Sequence, residues 1–486
     1  MNAEILLIAV NAGYAHTSMS LRCLMANLGE LEARAAIAEF DSQLEPMQIA
    51  EAVIAAEPKI AAFSVYIWNV ALIADVLRIL RAARPGIVLV AGGPQIVPDD
   101  DPAGILPLVD VAVCGEGEGV VRDVFATLLA GGAVASPVVA PPPDLAQVAL
   151  PHRLYSDDDI AHRVVYAEAT RGCPFRCEYC TSAGSGGVRA FPREALLEAF
   201  GMLLDRGVRK FKFLDRSFNF GGEASLAVLD FFAARQFTGL RLHFEFTPDA
   251  LDAAWRERLL RFEPGMLHIE MGVQTWNPAV AKSIHRPLKP AAVEQALRFM
   301  VEEAKADVHA DLIAGLPGED EMSFQAGFDR LVALRPAEIQ AGILKRLPGT
   351  VIGRHDAEEG VRWSPVPPYE ILENRHIPYA RMRAIERFGR CWNLLCNSGR
   401  FRTSAPLLWR DGGSPYARGM RVAETLFATC GRMHAIGPKR LAAALFEVLV
   451  GEAGVSAAEA RAALERDARE AAWDRSGPSD ALPPRT

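Results

Sequence analysis

The chain has 486 residues, with 52 basic and 60 acidic side chains and a formal net charge of −8. That balance excludes broad, sequence-independent nucleic-acid binding, which rests on a cationic surface. At 50% hydrophobic and 23% charged residues, the composition is that of a globular protein, and the length calls for roughly two to four domains.

The amino-terminal stretch "MNAEILLIAVNAGYAHTS" has no basic lead and no cleavage signature, so it reads as a first strand rather than a signal peptide. No apolar run approaches the ~20 residues that span a bilayer. The expectation is a cytoplasmic protein with no membrane contact, whose thiols stay reduced.

The first ~130 residues alternate strand-like and helix-like runs. Strands are expected at "EILLIAV", "RAAIAEF", "KIAAFSVYI", "GIVLVAGG" and "VDVAVCG", with amphipathic helices such as "VALIADVLRILRAARP" between them. Apolar strands separated by such helices predict a parallel sheet covered on both faces. Ligands of such sheets sit beyond the carboxyl ends of the strands. "NAGYAH", "SVYIWN", "GGPQ" and "GEGEG" fall there.

The Pro-rich stretch "GGAVASPVVAPPPDLAQVALPHR" (131–153) reads as a linker. From about residue 163 the alternation resumes. Strands are expected at "RVVYAEAT", "VRKFKFLD", "LRLHFEFTP", "MLHIEMGVQ", "VHADLIAGL" and "EIQAGILK". Six βα units suggest a barrel-like sheet left open, because about eight are needed for closure. Beyond residue 350 the pattern turns helical and irregular. The Arg-rich run "RHIPYARMRAIERFGR" (375–390) reads as a solvated helix face, so a nucleic-acid partner is not expected. The last residues, "DRSGPSDALPPRT", read as disordered.

Three of eight cysteines lie in "RGCPFRCEYC": Cys173, Cys177 and Cys180, directly after the first strand of the second sheet. Among reduced thiols such a cluster points to metal or catalysis. One possibility is zinc completed from afar, for which Cys391 and Cys396 could serve. The other is a four-iron cluster with three irons on cysteine and one left open for an external ligand.

The Cys-x3-Cys-x2-Cys spacing, with aromatic Tyr179 before the last cysteine, resembles the radical S-adenosylmethionine (SAM) superfamily. That resemblance implies a [4Fe-4S] cluster on Cys173, Cys177 and Cys180, with SAM as the missing ligand, split reductively to a 5′-deoxyadenosyl radical. "ADLIAGLPGE" is similar to the family's fifth-strand motif, implying adenine contacts from Ile313, Gly315 and Glu319. The third- and fourth-strand ends supply Glu245, Glu270 and Gln274 for ribose and methionyl groups, and "SIHRP" supplies Arg286 for the SAM carboxylate. The family's second strand often ends in Gly-Gly-Glu. Here it reads "FLDRSFNFGGE", and Asp215 looks like the substitute. Tyr179 completes the SAM-contact set.

The front sheet resembles the cobalamin (B12)-binding domain that precedes radical SAM domains in one subclass. This implies cobalamin contacts from Ser64, Tyr66, Gly92, Gly93, Gly115, Glu116 and Gly117. His16 stands near the position of the cobalt-ligating histidine of classical domains, but Tyr14 replaces the accompanying Asp. A ligand, a phosphate contact and a helix-start residue all remain open for it, with a non-ligating pocket role favoured. "LPGT", "PPYEIL" and "NSGRF" resemble a subgroup with a C-terminal domain of unknown function.

The implied fold is α/β: a Rossmann-like cobalamin-binding domain (1–135), a linker (136–160), a partial (β/α)6 radical SAM barrel (161–350), a mainly helical C-terminal region (351–470) and a disordered tail (471–486). The implied activity is methylation of an unactivated carbon of a small-molecule substrate, with a flavodoxin- or ferredoxin-type low-potential electron donor. Non-methyl radical chemistry and a non-catalytic sensor are the alternatives.

Overall fold

In the computed structural model, which describes residues 3–286 and 288–473, two parallel six-stranded sheets follow one another along the chain. The first contains β1 (Ile5–Asn11), β2 (Ala35–Asp41), β3 (Ile60–Ser64), β4 (Val88–Gly92), β5 (Val111–Gly115) and β6 (Val138–Ala140), in the order β2-β1-β3-β4-β5-β6. β1 is buried along its whole length, as expected of a near-continuous apolar run inside a sheet covered on both faces. The helix Val70–Ala83 turns Val70, Ile73, Ala74, Leu77 and Leu80 inward. That is the three- and four-residue spacing of one helical face, and each large side chain so buried contributes about 1.5–3 kcal/mol.

The order of strands reverses between β1 and β3, and a crevice opens beyond the carboxyl ends at such a switch point.

The Pro-rich stretch is not a free linker, which corrects the expectation for residues 136–160. Val138–Ala140 pairs with β5 as a sixth strand. A three-residue strand at the sheet edge tolerates prolines around it because only one side must donate to a ladder. Further on, Leu145, His152 and Tyr155 are buried. Asp159 and Arg163 enter an ion cluster with the first domain: Arg22 Nη2 lies 3.0 Å from Glu39 and 2.8 Å from Asp159, and Arg163 lies 2.8 Å from both acids.

The second sheet has β7 (Val165–Ala167), β10 (Lys210–Phe213), β11 (Arg241–Phe246), β12 (Leu267–Gln274), β13 (Asp307–Ala314) and β14 (Glu338–Ile343), in the order β14-β13-β12-β11-β10-β7. It is an open parallel sheet, with β7 and β14 unpaired with each other. Between β7 and β10, the two-residue strands β8 (Thr170–Arg171) and β9 (Arg189–Ala190) pair antiparallel and close the loop that carries the cysteines. The outer face packs on helices through an aromatic layer in which Phe213 and Phe244 stack at 4.6 Å. The opposite face is concave and polar.

The C-terminal region carries a short hairpin, β15 (Arg362–Trp363) and β16 (Ile371–Glu373), and helices Tyr379–Trp392, Pro415–Cys430, Pro438–Gly451 and Ala457–Glu470. The first of these helices packs on β14, and its Phe388 meets Phe328 at 4.8 Å and Tyr416 at 4.7 Å. The folded part runs past the expected start of the tail: Trp473 is buried against Phe401, with ring centroids 4.5 Å apart. Residues 474–486 of that expected tail lie outside the described residues. No helix among the described residues is long and apolar enough to cross a membrane.

Candidate functional site

The cysteine loop stands at the carboxyl end of β7, against the ends of its neighbours. Asp215, just after β10, is buried and anchors the base of the loop. Its carboxylate accepts from the backbone N–H of Ala169 at 3.0 Å, and from the N–H and hydroxyl of Thr170 at 2.6 Å each. Burial pushes its pKa up to about 7 against those donors. Both oxygens are engaged by the chain itself. The residue expected to touch SAM is instead a clamp on the loop, because the strand end turns it inward toward Ala169 and Thr170.

Within the loop the Cys173 N–H donates to Ser185 Oγ at 2.9 Å, and its sulfur lies 3.8 Å from Ser217 Oγ. Ser217 in turn meets Thr247 Oγ1 at 3.0 Å. Cys177 is buried, which raises its thiol pKa, and the Arg286 guanidinium opposes that rise. Arg286 Nη1 stands 3.7 Å from the Cys177 sulfur while Nη2 donates to the Gly272 carbonyl. Burial also pushes the Tyr179 phenol well up. Glu178, between Cys177 and Tyr179, is buried and held by His285, by Arg354 Nε at 2.8 Å and by His355 at 2.7 Å.

Among the described residues no three His, Cys, Asp or Glu side chains close around a single metal ion. A cubane instead asks for thiols at separate corners. Three soft sulfur donors on one short loop, with a guanidinium beside them, fit such a cluster in donor type and leave a fourth corner without a protein ligand.

The concave face carries the other candidates. Gln274, at the end of β12, has φ 69°, a left-handed conformation that costs a non-glycine residue about 1 kcal/mol or more and that collects at functional sites. Its amide oxygen is buried without a partner, which suits a ligand donor such as a hydroxyl. Glu245 and Glu270 are cross-strand neighbours. Burial raises Glu245 to about 7, with Arg216 4.0 Å away, whereas the His243 hydrogen bond at 3.2 Å drops Glu270 to about 2. Ile313 lies in register with Gly342 on the same sheet.

Two residues of the fifth-strand motif also serve the fold. Gly315 has φ 90°, and a Cβ there would lie 2.7 Å from Ile371 Cγ2 and 3.0 Å from Met382 Cε. The C-terminal region fills that space, so packing alone already requires a glycine there. Glu319 is buried; its Oε1 accepts from Thr275 at 2.6 Å and Ser323 at 3.1 Å, while its Oε2 is buried without a partner. It ties the β12 and β13 ends together.

Burial holds the Glu319 pKa at about 7. A carboxyl that binds its proton more tightly folded than unfolded loses its stabilising contribution as pH rises from about 4.5 to about 7. Thermal melts between those values should show the parent losing stability, and Glu319→Gln should lose measurably less. Parallel curves would remove Glu319 from this account.

A cavity of ≈ 580 Å³ lies between the two sheets, lined by Ser64, Tyr66, Gly92, Gly93, Gly115, Glu116 and Gly117 from the front and by Arg171, Ser182 and Ser185 from the cysteine loop. The expected cobalamin contacts are thus together on one wall, with one exception. His16 does not line the cavity: its Nδ1 meets Tyr166 OH at 2.6 Å, and its segment bridges to Val164 at the start of β7. The pocket role favoured for it is corrected, because segment 13–17 is drawn across the domain seam.

Glu116 also looks away from a purely ligand role. It pairs with Arg171 at 3.0 Å and with Arg189, both on the strands that close the cysteine loop. Gly93 (φ 109°) is demanded by the chain itself, since a Cβ would sit 2.6 Å from the Val65 carbonyl oxygen. The glycine-lined wall lets a ligand approach the backbone closely.

Sequence reasoning missed Arg171, Glu178, Arg354 and a row of histidines. His243 and His268 stack at 4.6 Å, and His309 stands 6.1 Å from His268. Burial, with His243 and His309 nearby, lowers His268 to about 4. The alternation of polar residues in "LRLHFEF", "LHIEMGVQ" and "DVHADLIA" was the available signal, since strands of a sheet buried on both faces are normally apolar throughout.

The family model for the B12 binding domain matches residues 5–125, and that for the radical SAM superfamily matches residues 168–331. The chain belongs to the radical SAM superfamily and carries a B12-binding domain ahead of its radical SAM domain.

Among curated proteins it is 28% identical over 319 residues to the 2-(S-pantetheinyl)-carbapenam-3-carboxylate methyltransferase of Streptantibioticus cattleyicolor. It is 25% identical over 318 residues to the cobalamin-dependent radical SAM methyltransferase TokK of Streptomyces tokunonensis. Each match covers 57% of this chain and 45% of the relative, so the chain spans about half the length of these proteins. In fold it is similar to the cobalamin-dependent S-adenosylmethionine radical enzyme OxsB solved with aqua-cobalamin, with TM-score 0.64 and 13% identity over 98% of this chain and 83% of the other. It is also similar to the methyltransferase TsrM of Kitasatospora setae, with TM-score 0.59 and 16% identity over 74% and 81%.

Proposed function

We propose that the protein is a cobalamin-dependent radical SAM methyltransferase that alkylates an unactivated carbon of a small-molecule substrate. The observation that carries the reading is the meeting of two strand-end faces. The glycine-rich wall of the B12-binding domain and the cysteine loop of the radical SAM domain line one cavity.

In this reading Cys173, Cys177 and Cys180 hold a [4Fe-4S] cluster. Arg286, Gln274, Glu245, Glu270, Ile313 and Tyr179 surround SAM, and Ser64, Tyr66, Gly92, Gly93, Gly115 and Gly117 face cobalamin. When bound, the cluster supplies the electron that cleaves SAM to a hydrogen-abstracting radical, and cobalamin carries the methyl group.

The chain's own residues position and exclude. Asp215 fixes the base of the loop, Arg286 ties Cys177 to the end of β12, and Arg171, held by Glu168 at 2.5 Å in its own domain, reaches Glu116 and Glu118 across the seam at 3.0 and 2.8 Å. Such buried charge pairs make the relative placement of the two faces costly to change. Hydrogen-atom abstraction followed by methyl gain leaves no net proton to move, so no side chain is required as a general base.

The test is turnover with methyl-deuterated SAM and a candidate substrate, in the presence of a low-potential reductant. The expected product is heavier by one trideuterated methyl group, with deoxyadenosine formed alongside. Deoxyadenosine with a product lacking the label would replace methyl transfer by another radical reaction.

A further inference from the structure

We propose that a cavity at the amino-terminal end of β14 is a second ligand site, built for a flat aromatic anion, with Trp409 against the ring and Arg335 and Arg402 on the charge. The site stands apart from the chemistry at the cysteine loop.

The cavity has a volume of ≈ 750 Å³ and lies between the end of helix Glu321–Leu334, the start of β14 and segment 392–415. Small-molecule pockets run to about 300–1,000 Å³. It shares no lining residue with the inter-sheet cavity. Its sheet contact is Ile339, at the amino end of β14, whereas the cysteine loop stands at the carboxyl end of the parallel strand β7.

Its apolar wall is aromatic. Trp392 and Trp409 stack with ring centroids 5.7 Å and planes 27° apart, and Phe401 lines the cavity with them. Trp392 is 4% exposed, and its indole N–H has no acceptor among the described residues. Buried donors normally find one, so an oxygen on the ligand suits this wall. Trp409 is only partly buried, which leaves ring surface for a flat partner.

The helix Tyr379–Trp392 runs on into a π-turn, Asn393–Asn397, an irregularity that collects at functional sites. The turn carries Asn397 to β14, where its amide donates to the Ile339 carbonyl at 3.0 Å and accepts from the Ile339 N–H at 3.1 Å. Both residues line the cavity, so the turn fixes its shape to the sheet.

The charge in the lining is positive. Arg335 and Arg402 are exposed and have no ion pair among the described residues. The acid beside them, Asp329, already accepts from the Tyr416 N–H at 2.7 Å. Arg335 has φ 54° at the C-cap of its helix, a place where glycine is the usual residue. The chain keeps an arginine there at the cost of a strained backbone, and a guanidinium is what glycine could not supply. Two unpaired guanidinia beside an aromatic wall select an anionic oxygen together with a flat ring.

The experiment uses the full-length protein and measures, by equilibrium dialysis, binding of anilinonaphthalene sulfonate and of phenylnaphthylamine, the same rings without the charge. We expect the parent to hold the sulfonate at least about tenfold more tightly than the uncharged amine, and Arg335→Gln/Arg402→Gln to lose that difference. Trp409→Ala should weaken both probes. Arg335→Gly should melt no lower than the parent and still weaken the sulfonate, which separates ligand binding from folding. An Arg78→Gln/Arg84→Gln control on the front domain should match the parent. Equal binding of the two probes by the parent, undiminished sulfonate binding by the double arginine variant, or equal loss in the control would each overturn the proposal. No turnover is read, so the result stands or falls separately from the proposed function.

Discussion

Arg286→Met should cut deoxyadenosine release by about 30-fold or more while the protein stays folded and keeps its iron. The guanidinium is buried with one arm toward the Cys177 sulfur and the other on the Gly272 carbonyl. It links the cluster loop to the strand end where Gln274 turns into the left-handed region. Methionine keeps the volume but removes the charge that favours the Cys177 thiolate and the fork that would receive a carboxylate. Removing one member of a buried, hydrogen-bonded charge pair costs about 2–5 kcal/mol, and each 1.4 kcal/mol is about tenfold. Arg286→Lys should recover little, because an ammonium cannot span both partners as a planar guanidinium does. SAM binding by equilibrium dialysis and deoxyadenosine by chromatography give the answer. A Met variant at the parent rate would remove Arg286 from the site.

Asp215→Asn should damage the loop rather than the chemistry. The carboxylate collects two backbone N–H groups and a hydroxyl from Ala169 and Thr170, all buried. An amide presents one acceptor and one donor, so at least one N–H faces another N–H and loses its partner, at about 1–3 kcal/mol. The β7–β8 corner then loosens directly below Cys173. The expected result is a lower melting temperature with reduced iron and sulfide uptake on anaerobic reconstitution. Unchanged melting and full iron content would show that the clamp is dispensable.

The architecture was legible in the sequence for a simple reason. The strands of the first sheet are mostly apolar runs, those of the second alternate apolar with polar residues, and the connecting helices have a one-sided stripe, so period separates strand from helix. β6 escaped because three residues among prolines carry no period, and only the partner strand makes them a strand. The cysteine loop was legible because its three cysteines are local.

Glu178 was not. Its partners lie 107, 176 and 177 residues away, and nothing near it in sequence announces them. Gly315 matched a motif position, and the packing of the C-terminal hairpin and helix that also requires a glycine there was not legible. The placement of His16 was not legible either, since a seam between domains is invisible to a reading made one domain at a time.

The most direct test of the central claim is anaerobic reconstitution of the purified protein with iron and sulfide, followed by reduction in the presence of SAM. The account predicts a four-iron cluster per chain and release of 5′-deoxyadenosine, both lost when Cys173, Cys177 or Cys180 is replaced by alanine. A parent that assembles the cluster yet leaves SAM intact under strong reduction, or alanine variants that cleave it as well as the parent, would contradict the account.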